Sequence, residues 1–214
     1  MSGPKFRDLL SRSALWFARA DQFLDELEGR LSPGNEVRQS ESDAAFHALY
    51  KIQRDDRTAR VSREAMRHRV FILCWSRGGK ESGMMWRVDG RPPDSVAITT
   101  SVKAIRTFLP STVQMSLTKY HPLDFPRTEF GGTSLFFYKP VSFSYENELR
   151  LLLPSRMEET IAPDEKGRLV QVPLKKIVHR VITSPRASAG FKAEVDSLLR
   201  QYLRGIRREN SALL

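Results

Sequence analysis

The stretch Tyr145-Glu146-Asn147-Glu148-Leu149-Arg150-Leu151-Leu152-Leu153-Pro154 holds the residues best placed to do chemistry. Charges run directly into leucines, and Pro154, with no N–H for a sheet ladder, ends the run. Alternation along a strand predicts Glu146, Glu148 and Arg150 on one face and Leu149, Leu151 and Leu153 on the other. Same-face neighbours on a strand lie about 6.5–7 Å apart. Two carboxylates and a guanidinium in a row suit a developing positive charge held beside an anionic ligand. The same row also reads as the wet face of a half-exposed strand, with Glu148 and Arg150 paired to each other.

Positioning such a row requires neighbouring strands. Val70–Ser76 is a continuous apolar run closed by Gly78-Gly79, the pattern of a buried strand. Ala14–Ala18, Val96–Thr100, Val113–Tyr120, Leu169–Pro173 and Arg180–Thr183 are further strand candidates, with Ile206–Arg208 a last short one. Helices are expected over Phe6–Arg12, from Ser40 or Ser42 to Arg57 and on through the arginine-dense segment to Arg69, and over Glu81–Val88. Another is expected after Ser101, which can cap it, and a last one over Phe191–Leu203. Leu31–Gln39, with Ser32-Pro33-Gly34-Asn35, reads as loop, and 121–134 as a long loop rich in Pro, Gly and Thr. Strands and helices interleave without regular alternation. The expectation is an α+β fold, one domain over 1–214, with a mixed sheet as core, flanking helices and a helical elaboration at 40–69.

Composition narrows the function classes. The chain has 214 residues, 28% of them charged, and a net charge of +10. Such a charge favours anionic partners, either a small molecule or a nucleic acid. The single cysteine, Cys74, allows no disulfide within the chain, and His47, His68, His121 and His179 show no metal spacing. No metal is expected. No run of 18 apolar residues is present, and Ala14–Ala18 is too short for a signal-peptide core, so a cytoplasmic protein without membrane association is expected. Neither G-x-G-x-x-G nor G-x-x-x-x-G-K-[ST] occurs.

Several motifs together resemble an uncharacterised bacterial family of unknown function. They are Phe23-Leu24-Asp25-Glu26-Leu27-Glu28, Cys74-Trp75-Ser76, Glu81-Ser82-Gly83-Met84-Met85-Trp86, Ser95-Val96-Ala97-Ile98, and the run from Lys139 through Phe143, Glu146 and Glu148 to Arg150. They span most of the chain in the family's order. Leu24 and Glu26 depart from the family's Asn and Pro, and Asp89 stands where the family's helix motif ends in tyrosine.

A second, weaker resemblance is to the ADP-ribosyltransferase fold, in which an arginine on an early strand, a serine on a middle strand and Glu-x-Glu on a later strand handle NAD. Arg19, Ser76, Glu146 and Glu148 match that order. The resemblance implies that Glu148 binds the ribose and the oxocarbenium-like charge while Glu146 orients or deprotonates the acceptor. It further implies that Arg19 or Arg150 holds the diphosphate and that Tyr120 or Tyr138 stacks on nicotinamide. Trp86 and Lys139 complete the candidate NAD-binding residues. Against these stand blander readings: Arg19 paired with Asp21 or Asp25, Ser76 bonded to backbone, and Trp86 in the core. Two other functions compete, a non-catalytic nucleic-acid-binding module and a nuclease holding magnesium through Asp25, Glu28, Glu146 and Glu148.

Overall fold

The computed structural model describes residues 1–23, 25, 27–50, 64–88, 93–123, 125, 132–156 and 158–213. The arginine-dense segment at 51–63 and Asp89 lie outside the described residues. In chain order the elements are helix α1 (Gly3–Arg12), strand β1 (Ala14–Arg19), helix α2 (Pro33–Tyr50), β2 (Val70–Ser76), α3 (Gly83–Val88), β3 (Val96–Thr99) and α4 (Val102–Phe108). They continue with β4 (Gln114–Leu117), β5 (Lys119–His121), β6 (Tyr138–Pro140), β7 (Glu148–Pro154), β8 (Gly167–Gln171), α5 (Leu174–Ile177), β9 (Arg180–Thr183), α6 (Ala189–Tyr202) and β10 (Arg208–Asn210). Three 3₁₀ turns, Ala20–Gln22, Gly132–Phe137 and Val141–Glu146, complete the described elements. The fold is α+β, with one sheet that mixes parallel and antiparallel pairs.

The chain forms two compact units. The first comprises Met1–Trp16, Gly78–Ser111 and Leu169–Leu214. Its sheet runs β10-β9-β3, with β9 parallel to β10 and antiparallel to β3. Pro4 opens α1, where a missing N–H costs nothing, and Phe6, Leu9 and Leu10 give it one buried stripe. In α6 the Ser188 hydroxyl accepts from the Phe191 N–H, and Phe191, Val195 and Leu199 form the buried face. A Cβ added at Gly3 would come within 2.8 Å of the Phe191 ring, so α1 and α6 meet only because Gly3 has no side chain.

The second unit comprises Phe17–Arg77 and Thr112–Arg168. Its sheet runs β4-β7-β2-β1, and β7 is antiparallel to both β2 and β4. Ala20, Val70, Ile72, Phe136 and Leu152 form an apolar cluster on one face of it. Cys74 and Phe23 pack against that cluster.

Four expectations need correction. Ser32-Pro33-Gly34-Asn35 starts α2 instead of a loop, because Pro33 suits the first helical turn and the Glu36 N–H donates to the Ser32 carbonyl. The strand predicted over Val113–Tyr120 breaks at Thr118: its N–H still donates to the Glu148 carbonyl in the β4–β7 register, but the Glu148 N–H goes to the Tyr120 hydroxyl. The last strand sits two residues later than predicted, at Arg208–Asn210. The charged stretch is a strand only from Glu148 onward: Glu146 ends a 3₁₀ turn, and Asn147 follows in the left-handed region at φ 43°. Asparagine tolerates that region better than most residues.

Candidate active site

Strand alternation puts Glu148, Arg150 and Leu152 on one face of β7. Their partners on β2 are Ser76, Cys74 and Ile72. This face is not wet. Arg150 and Leu152 are both 0% exposed, as is Leu151 on the opposite face. A guanidinium therefore stands inside the core beneath the Gly132–Phe137 turn.

Its partner explains why it is tolerated there. Glu28 is 1% exposed and takes two hydrogen bonds from Arg150, at 2.6 Å from Nη1 and 2.9 Å from Nη2. Nη1 also donates to the Phe136 carbonyl at 2.6 Å, and Nε donates to Glu148 at 2.7 Å. Gly29 holds Glu28 in place: it has φ +68°, and a Cβ there would meet the Phe136 ring at 2.2 Å. Burial lifts the Glu28 carboxyl above its ordinary value, with Arg150 opposing, while Glu28 overcomes burial to lift Arg150 still further from deprotonation. The bidentate geometry calls for a carboxylate facing a guanidinium, so the ionised pair is the form adopted.

Glu146 and Glu148 meet through the reversal at Asn147, not through the pleat of a strand. The Asn147 side-chain amide donates to the Arg77 carbonyl at 2.6 Å, and the Arg77 N–H donates to the Asn147 carbonyl at 2.7 Å. Lys139 bridges the two carboxylates, bonded to Glu146 and 3.9 Å from Glu148. Tyr120 and Lys139 are partners in the parallel β5–β6 ribbon and share one face of it. The Tyr120 hydroxyl accepts the Glu148 N–H at 2.9 Å. Tyr138 and His121 take the other face, where Lys119 lies over the Tyr138 ring and His121 stacks on Phe125. Of the two tyrosines, it is Tyr120 that stands at the carboxylates.

The two carboxylates are displaced in opposite directions. Burial and the nearby Glu148 charge lift Glu146 above the ordinary carboxylate range, against Lys139. For Glu148 burial acts upward too, but Arg150, Lys139 and the Cys74 thiol outweigh it and hold the group below that range. Burial, joined by Glu148, pushes Cys74 well up, so it remains a thiol able to donate to Glu148. Glu146 and Glu148 keep 15% and 11% of their side-chain surface open, whereas Arg150 keeps none. A ligand can thus touch the carboxylates but not Arg150, which acts through them.

Of the remaining candidates, Ser76 is exposed at the end of β2, directly across the ladder from Glu148. Arg19 is not brought there. It pairs with Phe71 across β1–β2, five residues along β2 from Ser76, or roughly 17 Å at about 3.3 Å per residue. Its guanidinium makes a forked bond to Asp21, at 2.7 and 3.0 Å, and further bonds to the Ala162 and Pro163 carbonyls. Trp86 lies in the first unit, where its Nε1 donates to Glu81 at 3.0 Å. Glu28 was expected beside Glu146 and Glu148 only as a magnesium ligand, not as the partner of Arg150, and Arg77 was not named. Arg77 is exposed beside Ser76, and among the described residues its guanidinium has no bonded partner.

Burial raises Asp21, but Arg19 more than offsets it and holds the carboxyl below its ordinary value. A depressed acid stabilises the fold above its unfolded pKa of about 4, and that contribution is lost as pH falls through the lowered value. Arg19→Met is therefore expected to cost about 1–3 kcal/mol, to abolish that part of the acid dependence, and to leave any chemistry at Glu148 intact. Urea unfolding at pH 3 to 7 beside an activity assay checks all three.

No family model, curated protein or solved structure matches the chain. Among the described residues no group of three or more His, Cys, Asp or Glu is placed to hold a metal ion, and both Glu28 oxygens are taken by Arg150. No helix among them is long and apolar enough to cross a membrane.

Proposed function

We propose that this chain is an ADP-ribosyltransferase-like enzyme that cleaves the nicotinamide–ribose bond of NAD at the mouth of β7. The observation that carries the reading is a pair of partly open neighbouring carboxyls in unequal surroundings, Glu146 bonded to Lys139 and Glu148 to the buried Arg150, which displaces Glu146 upward and Glu148 downward. Paired groups pushed apart in this way divide acid–base roles between them. The cross-ladder position of Ser76 beside Glu148 adds support.

The roles follow from the surroundings. The glycosidic C–N bond breaks with its electron pair moving to the nicotinamide nitrogen, which goes from cationic to neutral. The ribose carbon is left with oxocarbenium character. Glu148 Oε2 is engaged by Arg150; Oε1, 3.9 Å from the Lys139 ammonium, binds a ribose hydroxyl and stabilises that charge. Glu146, made more basic than an ordinary carboxylate, takes the proton of the attacking acceptor, and Lys139 steadies the carboxylate before transfer. Arg77, not Arg19, is the cation at the mouth suited to the diphosphate.

The pH profile tests the division of roles. Glu146 works as a base only when deprotonated, so activity should fall as pH drops through its raised pKa. Lys139→Gln removes the hydrogen bond and the charge that hold Glu146 down, so the acid limb of nicotinamide release should move up by about one pH unit or more. A limb that stays in place would remove Glu146 from the mechanism.

A further inference from the structure

The charge of the chain is divided unequally. The second unit carries 18 Lys and Arg against 18 Asp and Glu, while the first carries 17 against 7. The whole excess of ten therefore belongs to the first unit. Its acids are also occupied. Asp8 pairs with Arg12, Glu194 with Arg7, Asp196 with Arg208 and Glu209 with Arg180. Glu81 accepts from Trp86 and Ala212, and Asp94 from Ser188. Asp89 lies outside the described residues.

The imbalance is greatest at one edge. Residues 95–111 and 169–193 contain no Asp or Glu at all. Within them α4 and α5 pack against each other, burying Ile105, Leu174 and Ile177. What these helices leave outside is Lys103 and Arg106 on α4 and Lys175 and Lys176 on α5, all exposed and without a bonded partner among the described residues. Lys103 and Arg106 are three apart, so they neighbour each other on the helix surface and repel. Neither segment supplies a carboxylate to offset that repulsion; a polyanion would.

We propose that the α4–α5 edge is a docking surface for a nucleic-acid backbone. Four exposed cations on two short helices that pack together offer several phosphate contacts on one surface. They suit a ligand with a charge about every 1.7 Å along its axis. A membrane is the poorer fit. Binding in the interface needs an apolar helical face to bury, and Val102 is the one large exposed hydrophobic residue on these two helices.

The test is fluorescence anisotropy of a labelled 20-base-pair duplex with the full chain across 50–200 mM salt. Compared with wild type are K103Q/R106Q/K175Q/K176Q, the half variant K175Q/K176Q, and a charge-matched control in the second unit, R30Q/K119Q/R156Q/K166Q. The slope of log affinity against log salt should shrink by about 0.9 for each phosphate contact removed, so by about 3–4 in the quadruple variant and about half that in the double. The control should retain the wild-type slope. Equal losses in patch and control variants would overturn the proposal in favour of unspecific charge. So would an absence of duplex binding, with or without binding to vesicles containing phosphatidylserine.

Discussion

Glu28→Ala is expected to destabilise the protein by about 3–5 kcal/mol, the usual cost of removing one partner of a buried ion pair. The reason is the position of Arg150. It is fully buried beside the apolar cluster, and two of its three nitrogens bond Glu28. An arginine cannot escape the penalty by losing its proton. The loss should appear as a lower urea midpoint with an unchanged slope. The paired replacement Glu28→Leu with Arg150→Met should recover much of the stability, because no buried charge then remains. It should not recover activity, since Glu148 would have lost the cation that holds it ionised.

Glu148→Gln should do the reverse, preserving the fold and removing the chemistry. The amide oxygen can still accept from Arg150 Nε, and Glu28 still neutralises the guanidinium, so the stability cost should stay near 1–3 kcal/mol. Nicotinamide release should fall by a factor of about 10²–10³ or more, as when a preorganised electrostatic partner of the transition state is removed. The variant also carries an internal check. The Glu148 charge helps to raise Glu146, so in Glu148→Gln the acid limb of any residual activity should move to lower pH, opposite to Lys139→Gln.

Much of the scaffold is legible in the sequence. The bounded apolar run at Val70–Ser76, the hydroxyl cap at Ser101 and the stripe Phe191, Val195, Leu199 each state a local physical requirement that the fold obeys. Long-range pairing is not written locally. Glu28 and Arg150 are 122 residues apart, and nothing near either names the other. A signal did exist: an arginine set among leucines in a buried strand needs a buried acid, and Glu28, followed by a glycine, was available. The alternation rule misplaced Glu146 because it assumes an unbroken strand, and the left-handed turn at Asn147 breaks it. Arg19 was drawn toward the site by order along the chain, whereas the pairing of β1 with β2 carries it to the far end and Asp21, two residues on, occupies it.

The most direct test is to incubate the wild-type chain and Glu148→Gln with NAD, alone and with cell lysate or nucleic acid as acceptor, and to quantify free nicotinamide. A glycosyl-transfer site at the mouth of β7 predicts release by the wild type that falls at least about a hundredfold in the variant, which stays folded with a stability loss of no more than about 1–3 kcal/mol. No release by the wild type under any of these conditions, or equal release by both proteins, would contradict it and leave Glu146, Glu148 and Lys139 as a structural ion cluster.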